Sequence, residues 1–383
     1  MSRLRPFTST IFAEMTALAV RTGSVNLGQG FPDTDGPPGM LEAAQRAIAA
    51  GVNQYPPGPG TIELRRAIAD QRRRAYGIEH DPTTDVLVTV GATEAIAAAL
   101  LALVEPGDEV LLIEPYYDSY AASVAMAGAT RRSVPLRPNP ETGHFELDVD
   151  GLAAAVTPHT RALLLNTPHN PTGSVFTDAE LGQVAALAIK HDLLVITDEV
   201  YEQLLFDGLG HRPLATLPGM AERTLSVSSA GKTFSATGWK IGWVCGPAEL
   251  VAAVRAAKQF LTFVGGAPFQ PAVAHALNHE QDWVASLRES LQTKRDRLSE
   301  GLTDAGFEVY RSEGTYFVCA DIRGLGFEDG IEFCRALPER VGVVTVPIQV
   351  FADEPKRWRH LVRFAFCKRD EVLDEAIARL RRL

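Results

Sequence analysis

The middle of this chain alternates short, almost wholly apolar runs with helical patterns, and that rhythm limits its fold more than any other feature. Val86-Leu-Val-Thr-Val90 precedes a helical stretch from Glu94 to Val104, and Glu109-Val-Leu-Leu-Ile113 precedes another beyond Glu114-Pro115. Arg161 to Leu165 precedes a helix predicted over Asp178 to Lys190. Leu193 to Thr197, Thr224 to Ser228 and Ile241 to Cys245 read as further strands. Strands that face solvent on one side alternate apolar and polar residues. These do not, so they are buried on both faces. A mainly parallel sheet covered by helices on each side follows, an α/β fold of three layers.

Open sheets of that kind bind ligands beyond the carboxyl ends of their strands. The polar residues just after the runs therefore gather in one place: Gly91 to Thr93, Tyr116 and Tyr117, Asn166 to Thr172, Asp198 to Tyr201, and Ser229 to Lys232. Lys232 lies in Ser228-Ser-Ala-Gly-Lys-Thr-Phe-Ser-Ala-Thr-Gly-Trp-Lys-Ile-Gly242, among small residues that leave its amine open to a ligand. Burial lowers a lysine's pKa and a neutral amine attacks aldehydes, which points to Schiff-base chemistry. A surface lysine in a Gly/Ser loop is the other reading.

Asp198 ends an uncharged strand, where a carboxylate needs a cation or donors. It can hold a proton on a heteroaromatic nitrogen, with Tyr201 facing the same pocket, or it can cap a helix. Gly91-Ala92-Thr93 ends a strand and opens a helix, where free N–H groups and the helix dipole suit a phosphate or a simple cap. Asn170, between prolines in a rigid turn, is a fixed hydrogen-bond donor or part of a plain αβ turn that needs no side chain there. Arg363, inside the apolar Leu361 to Phe366, requires a partner. A substrate carboxylate matches its two-pronged geometry, and an internal salt bridge is the alternative.

Composition sets the outer bounds. At 383 residues, 46% hydrophobic and 22% charged, the chain suits a soluble protein of two domains or one large one. A net charge of −10 without a basic run argues against nucleic acid, and Arg72-Arg-Arg74 reads as a solvated helix face. The cysteines Cys245, Cys319, Cys334 and Cys367 are far apart, with no CxxC and no paired histidines. Neither a metal site nor a disulfide framework is expected, and buried thiols in a reducing compartment are. No apolar run reaches the ~20 residues of a membrane span. Met1 to Pro6 leads into no apolar signal region, so a cytoplasmic location is expected.

Beyond the Gly/Pro-rich Val264 to Pro268 the pattern changes. Helices over Asp282 to Ala305, over Glu328 to Ala336 and from Asp370 mix with strands over Phe307 to Tyr310, Thr315 to Ala320 and His360 to Phe366. That describes a smaller α+β domain. The expected division is an arm over 1–36, without a helix of its own, joining the small domain; a large ligand-binding domain over 37–270; and a small domain over 271–383.

Together these stretches resemble a known family over essentially the whole chain. Asn26-Leu-Gly-Gln-Gly-Phe-Pro-Asp33, Asn53-Gln-Tyr55, Pro168-His-Asn-Pro-Thr-Gly173, Asp198-Glu-Val-Tyr201 and the Lys232 segment stand in the order and spacing of the fold-type I, class I pyridoxal phosphate-dependent aminotransferases. Asn53 to Gly60, Glu114 to Tyr120 and Val264 to Pro271 resemble its kynurenine/glutamine aminotransferase-like branch and, within it, the bacterial N-succinyldiaminopimelate aminotransferases.

The resemblance implies the pyridoxal phosphate-dependent transferase fold and a role for each residue. Lys232 would anchor the cofactor as a Schiff base and then shuttle a proton. Asp198 would pair with the pyridinium nitrogen, Asn170 and Tyr201 with the ring oxygen, and Tyr117 would stack on the ring. Ser229, Lys240 and the N–H groups of Gly91, Ala92 and Thr93 would hold the phosphate. Tyr55 would reach the phosphate of the neighbouring subunit, implying a homodimer with shared sites. Arg363, with Gly30 and Asn170, would bind the substrate carboxylate, and Phe12 would close over it. Many relatives carry arginine where Lys240 stands, and a lysine grips phosphate without the fork.

The implied substrates are an amino acid and a 2-oxo acid, with glutamate and 2-oxoglutarate as one pair. N-succinyldiaminopimelate transamination in lysine and diaminopimelate synthesis is the first expectation. A broad kynurenine, aromatic or glutamine aminotransferase with β-lyase activity on cysteine conjugates is the second. A catalytically silent cofactor-binding regulator is the third, and the intact set of Lys232, Asp198, Asn170, Tyr201 and Arg363 argues against it.

Overall fold

The computed structural model describes residues 3–8 and 10–383, so residues 1, 2 and 9 of the expected arm lie outside it. The chain begins with helix α1 (Ile11–Thr22) and strand β1 (Val25–Asn26), then α2 (Pro38–Ala49) and α3 (Ile62–Tyr76). The apolar runs follow: β2 (Val86–Val90), α4 (Gly91–Leu103), β3 (Glu109–Glu114), α5 (Asp118–Ala127) and β4 (Thr130–Pro135). A hairpin of β5 (Arg137–Asn139) and β6 (His144–Glu146) leads to α6 (Val149–Ala155), β7 (Thr160–Asn166), α7 (Asp178–Lys190) and β8 (Leu194–Asp198). Next come β9 (Thr224–Ser229), the single turn α8 (Ala230–Thr233), β10 (Ile241–Cys245), α9 (Ala248–Lys258) and α10 (Phe269–His279). The last part runs through α11 (Gln281–Asp304), β11 (Glu308–Val309), β12 (Phe317–Asp321), α12 (Gly330–Val341), β13 (Val343–Val344) and β14 (Val346–Pro347). It ends with α13 (Pro355–Trp358), β15 (Leu361–Ala365) and α14 (Asp370–Leu380).

Seven strands form one sheet in the order β2-β10-β9-β8-β7-β3-β4. Its strands are parallel except β10, which runs against both β2 and β9. Both faces are buried, as the uninterrupted apolar runs require. Leu112, Leu164, Ile196 and Val227 pack under α4, α5 and α9, while Leu111, Leu163, Leu165 and Val195 pack under α6 and α7. β4 continues the sheet beyond β3 although its sequence, Thr-Arg-Arg-Ser-Val-Pro, is polar. It is an edge strand with one neighbour, so its side chains need not be apolar. The second sheet, β11-β12-β15-β14, is antiparallel and carries Arg363 in its interior.

Three features differ from the sequence expectations. The segment before Pro37 does have a helix, α1. The Thr10 side chain accepts from the Ala13 N–H at its start, Gly23 ends it at φ 61°, and Met15, Leu18 and Ala19 are buried. β1 then pairs in parallel with β13. Second, α10 packs on α2 and α3: Ala272, Val273, Ala276 and Leu277 share a core with Met40, Leu64 and Ile68. The expected division at 271 therefore falls inside a helix that packs with the large sheet's cover.

Third, Arg72 is not on a solvated face. It follows Leu64 and Ile68 at four-residue steps, which puts it on the buried stripe of α3, and it is 1% exposed. Its Nη1 donates to Glu199 at 2.7 Å and Glu202 at 3.4 Å, both on the turn that leaves β8. Those carboxylates are buried too, and the guanidinium holds Glu199 well below the usual carboxylate range. Removing one partner of a buried ion pair strands the others. Arg72→Met is therefore expected to cost about 3–5 kcal/mol, read as a lowered urea midpoint at unchanged slope. A loss below about 1 kcal/mol would contradict the pairing.

Candidate active site

Every expected site residue except Tyr55 lines one cleft, of about 240 Å³, at the carboxyl edge of the large sheet. β7 delivers Asn166 and Asn170, β8 delivers Asp198 and Tyr201, and β9 leads into α8 with Ser229 and Lys232. The reversed direction of β10 explains Lys240. Its strand begins where the parallel strands end, with Ile241 opposite Val90 and Gly242 opposite Ser229, so a residue just before β10 joins the same edge. From the second sheet come Arg363 and Phe317, and from the N-terminal arm come Phe12 and Gly30. Tyr55 lies apart on the surface, 82% exposed and packed edge-on to Phe263 at 5.5 Å.

In the cleft Asp198 and Arg363 are buried, Lys232 is half-buried and Lys240 is exposed. Asp198 is 5% exposed, and its carboxylate accepts from the Tyr120 hydroxyl at 2.5 Å and the Val200 N–H at 3.2 Å. Burial outweighs these bonds and raises its pKa to about 6. Desolvation likewise lowers Lys232 to about 8. Arg363 is 2% exposed; its guanidinium donates to Asn170 Oδ1 at 3.0 Å and Gly28 O at 2.9 Å and lies over the Phe317 ring at 3.8 Å. Its Nε has no partner, and no described carboxylate pairs with it. The internal salt bridge open to the sequence reading is thus absent among the described residues, and an anion from outside fits the vacancy in charge.

The residues present also suit a phosphorylated aromatic cofactor. Gly91 opens the 13-residue α4 at φ 73°, and a Cβ there would stand 3.0 Å from Lys240 Nζ. Gly242 is equally tight, since its Cβ would meet the Gly91 carbonyl carbon at 2.5 Å. These glycines bring an ammonium against the positive end of a helix, an arrangement that calls for an anion between them. Asp198 matches a ring N–H⁺ as the cation its buried carboxylate lacks. Asn170 spends Oδ1 on Arg363 and receives Asn166 Oδ1 at its backbone N–H, which leaves its side-chain amide N–H groups as donors.

Sequence reasoning missed several residues here. Tyr120 bonds Asp198, and its place one helical turn after Tyr117 on α5 was the available signal. Asn166 donates to Asp198 O at 2.9 Å, and as the last residue of β7 it met the strand-end rule without being singled out. Phe317 and Tyr316 gave no signal, since β12 lies far along the chain from its partners in the cleft.

A family model for aminotransferase class I and II matches residues 22–380. The Mycobacterium tuberculosis protein named probable N-succinyldiaminopimelate aminotransferase is 64% identical, over 99% of this chain and 97% of its own length. The solved structure of N-succinyldiaminopimelate aminotransferase from that organism superposes with a TM-score of 0.98 at 65% identity, covering 100% of this chain and 99% of the other. The Escherichia coli methionine aminotransferase is 40% identical over 100% of this chain and 98% of its own. The Thermus thermophilus aspartate aminotransferase with maleate superposes with a TM-score of 0.92 at 35% identity, covering 100% and 99%. The chain belongs to the class I and II aminotransferase family.

Proposed function

We propose that this aminotransferase binds pyridoxal phosphate and transaminates N-succinyldiaminopimelate, with glutamate and 2-oxoglutarate as the exchanging pair. The observation that carries the substrate is the 64% identity to the mycobacterial protein over nearly the full length of both chains. The observation that supports amino-acid chemistry is Arg363, a buried guanidinium with an unpartnered Nε and no carboxylate of its own.

When bound, pyridoxal phosphate supplies an aldehyde that takes up the amino group and a ring that accepts the electron pair left at the substrate α-carbon. The chain's own residues do the rest. Lys240, Ser229 and the N–H groups at Gly91, Ala92 and Thr93 would hold the phosphate. Tyr117 would cover one face of the ring. Asp198 would keep the ring nitrogen protonated, and Asn170 and Tyr201 would bond the ring oxygen. Arg363, with Gly30 and Asn170, fixes the substrate carboxylate and so aims the α-hydrogen. Phe12 excludes water above it. Lys232, neutral above a pKa of about 8, is the base that takes the α-proton and returns it.

The same reading makes the protein a cytoplasmic homodimer in which Tyr55 of each protomer reaches its partner's phosphate site. Tyr55, 82% exposed, packs on Phe263, 47% exposed, and this exposed aromatic pair suits such contact. A second substrate reading rests on the rings about Arg363: Phe12 at 5.4 Å, Phe317 at 3.8 Å and Phe351 at 5.7 Å. They favour aromatic donors such as kynurenine or phenylalanine.

A donor panel with 2-oxoglutarate decides between the two. kcat/KM for N-succinyldiaminopimelate is expected to exceed that for kynurenine, phenylalanine and methionine by about a hundredfold, roughly 2.7 kcal/mol of transition-state discrimination. Kynurenine or phenylalanine outpacing it would overturn the substrate assignment.

The Asp198 carboxylate gives a pH-dependent check on the cofactor-free protein. Its folded pKa, about 6, lies above the ordinary 3.8. The fold therefore opposes its ionisation, a cost absent at low pH, growing as pH rises from 3.8 and complete above about 6. Asp198→Asn removes that cost, so its Tm is expected to exceed the parent's by more at pH 8 than at pH 5. A gain that is larger at pH 5 would contradict the burial argument.

A further inference from the structure

Lys232 makes its short side-chain hydrogen bond to a residue outside the roles described above. Its Nζ donates to the Tyr316 hydroxyl at 2.8 Å, with a longer contact of 3.4 Å to Gly30 O. The Tyr316 hydroxyl itself donates to Gly30 O at 2.6 Å. We propose that Tyr316 is a further catalytic residue of the transamination, an acceptor that pins one N–H of the free Lys232 amine so that the nitrogen lone pair faces the cleft. This rests on the reading of Lys232 as the reacting amine.

Direction comes from counting hydrogens. A phenol has one O–H, and Tyr316 spends it on Gly30 O, so toward Lys232 it can only accept. The amine's lone pair is then not consumed by Tyr316 and stays available for a proton. When Nζ takes the α-proton, the electron pair of the broken C–H bond remains on the substrate side. The new ammonium donates to Tyr316 more strongly, because charge-assisted hydrogen bonds are the firmer ones. The return transfer removes that proton and restores the amine in the same place.

Position comes from packing. Tyr316 is 1% exposed, with its ring edge-on to Tyr201 at 5.2 Å and to Phe317 at 4.9 Å. Its anchor is equally fixed. A Cβ on Gly30 would stand 2.5 Å from the Phe317 ring, so only glycine lets the arm's carbonyl approach this closely. Tyr316 thereby ties the N-terminal arm, the second sheet and the reacting amine together.

Basicity follows. Desolvation pulls Lys232 down to about 8, and an acceptor that favours the ammonium acts in the opposite direction. The other titratable groups facing the amine are Asp198, Arg363, Lys240 and Cys367, with the Tyr201 ring at 5.7 Å. None of these is hydrogen-bonded to Nζ, so Tyr316 is the side chain whose loss changes the amine's bonding directly.

Tyr316→Phe removes only the hydroxyl and keeps the packed ring, and its Tm is measured to verify folding. In cofactor-free protein, reductive methylation of Lys232 by formaldehyde and cyanoborohydride, followed across pH by peptide mass spectrometry, reads the amine's midpoint. The variant's midpoint is expected to fall by about one unit, which makes Lys232 about fivefold more reactive at pH 7. In the cofactor-loaded enzyme kcat is expected to fall about tenfold with KM within about twofold. An unchanged midpoint together with parental kcat would overturn the assignment. Lys232→Ala is run alongside. If it keeps turnover, the reading of Lys232 itself fails; if it is inactive while Tyr316→Phe behaves as the parent in both assays, only the Tyr316 role fails.

Discussion

Three charged groups drawn into one cleft without enough partners are the constraint on which the rest of this structure turns. Asp198, Lys232 and Arg363 are each shifted by desolvation toward their neutral forms. In a protein made only to be stable such groups would be paired or absent. On the proposed function their deficits would be met by one ligand pair: a protonated ring nitrogen for Asp198, an aldehyde for Lys232 and a carboxylate for Arg363. Ligands, not side chains, would then supply the missing partners.

The surrounding architecture keeps those groups in place. Behind β8, Arg72 neutralises part of the Glu199 and Glu202 charge, so the turn that presents Asp198 and Tyr201 rests on a buried ion pair. In front, Tyr120 and Val200 hold the Asp198 carboxylate. The antiparallel β10 brings Lys240 to the α4 N-terminus, apart from Lys232 beyond β9. Lysine rather than arginine at this point supplies charge without a fork.

Much of this was legible in sequence because the sheet imposes order on it. Doubly buried strands read as apolar runs, and strand ends collect polar residues, so Gly91, Asn170, Asp198 and Lys232 could be grouped without a structure. What was not legible depended on distant partners. Arg72 reads as a surface charge until Glu199, 127 positions away, is brought beneath it. Tyr120 and Tyr316 meet Asp198 and Lys232 across 78 and 84 positions. Helix α1 was a different kind of miss: its Thr10 cap and Gly23 stop were local signals, overshadowed by the irregular, Pro- and Gly-rich segment that follows.

On the proposed function one lysine, Lys232, meets the cofactor's aldehyde while Lys240 meets its phosphate. Reducing the pyridoxal phosphate-loaded protein with borohydride and mapping the peptides tests this division most directly. A phosphopyridoxyl label is expected on Lys232 alone, abolished by omitting the cofactor. A label on Lys240, or none on Lys232, would contradict it.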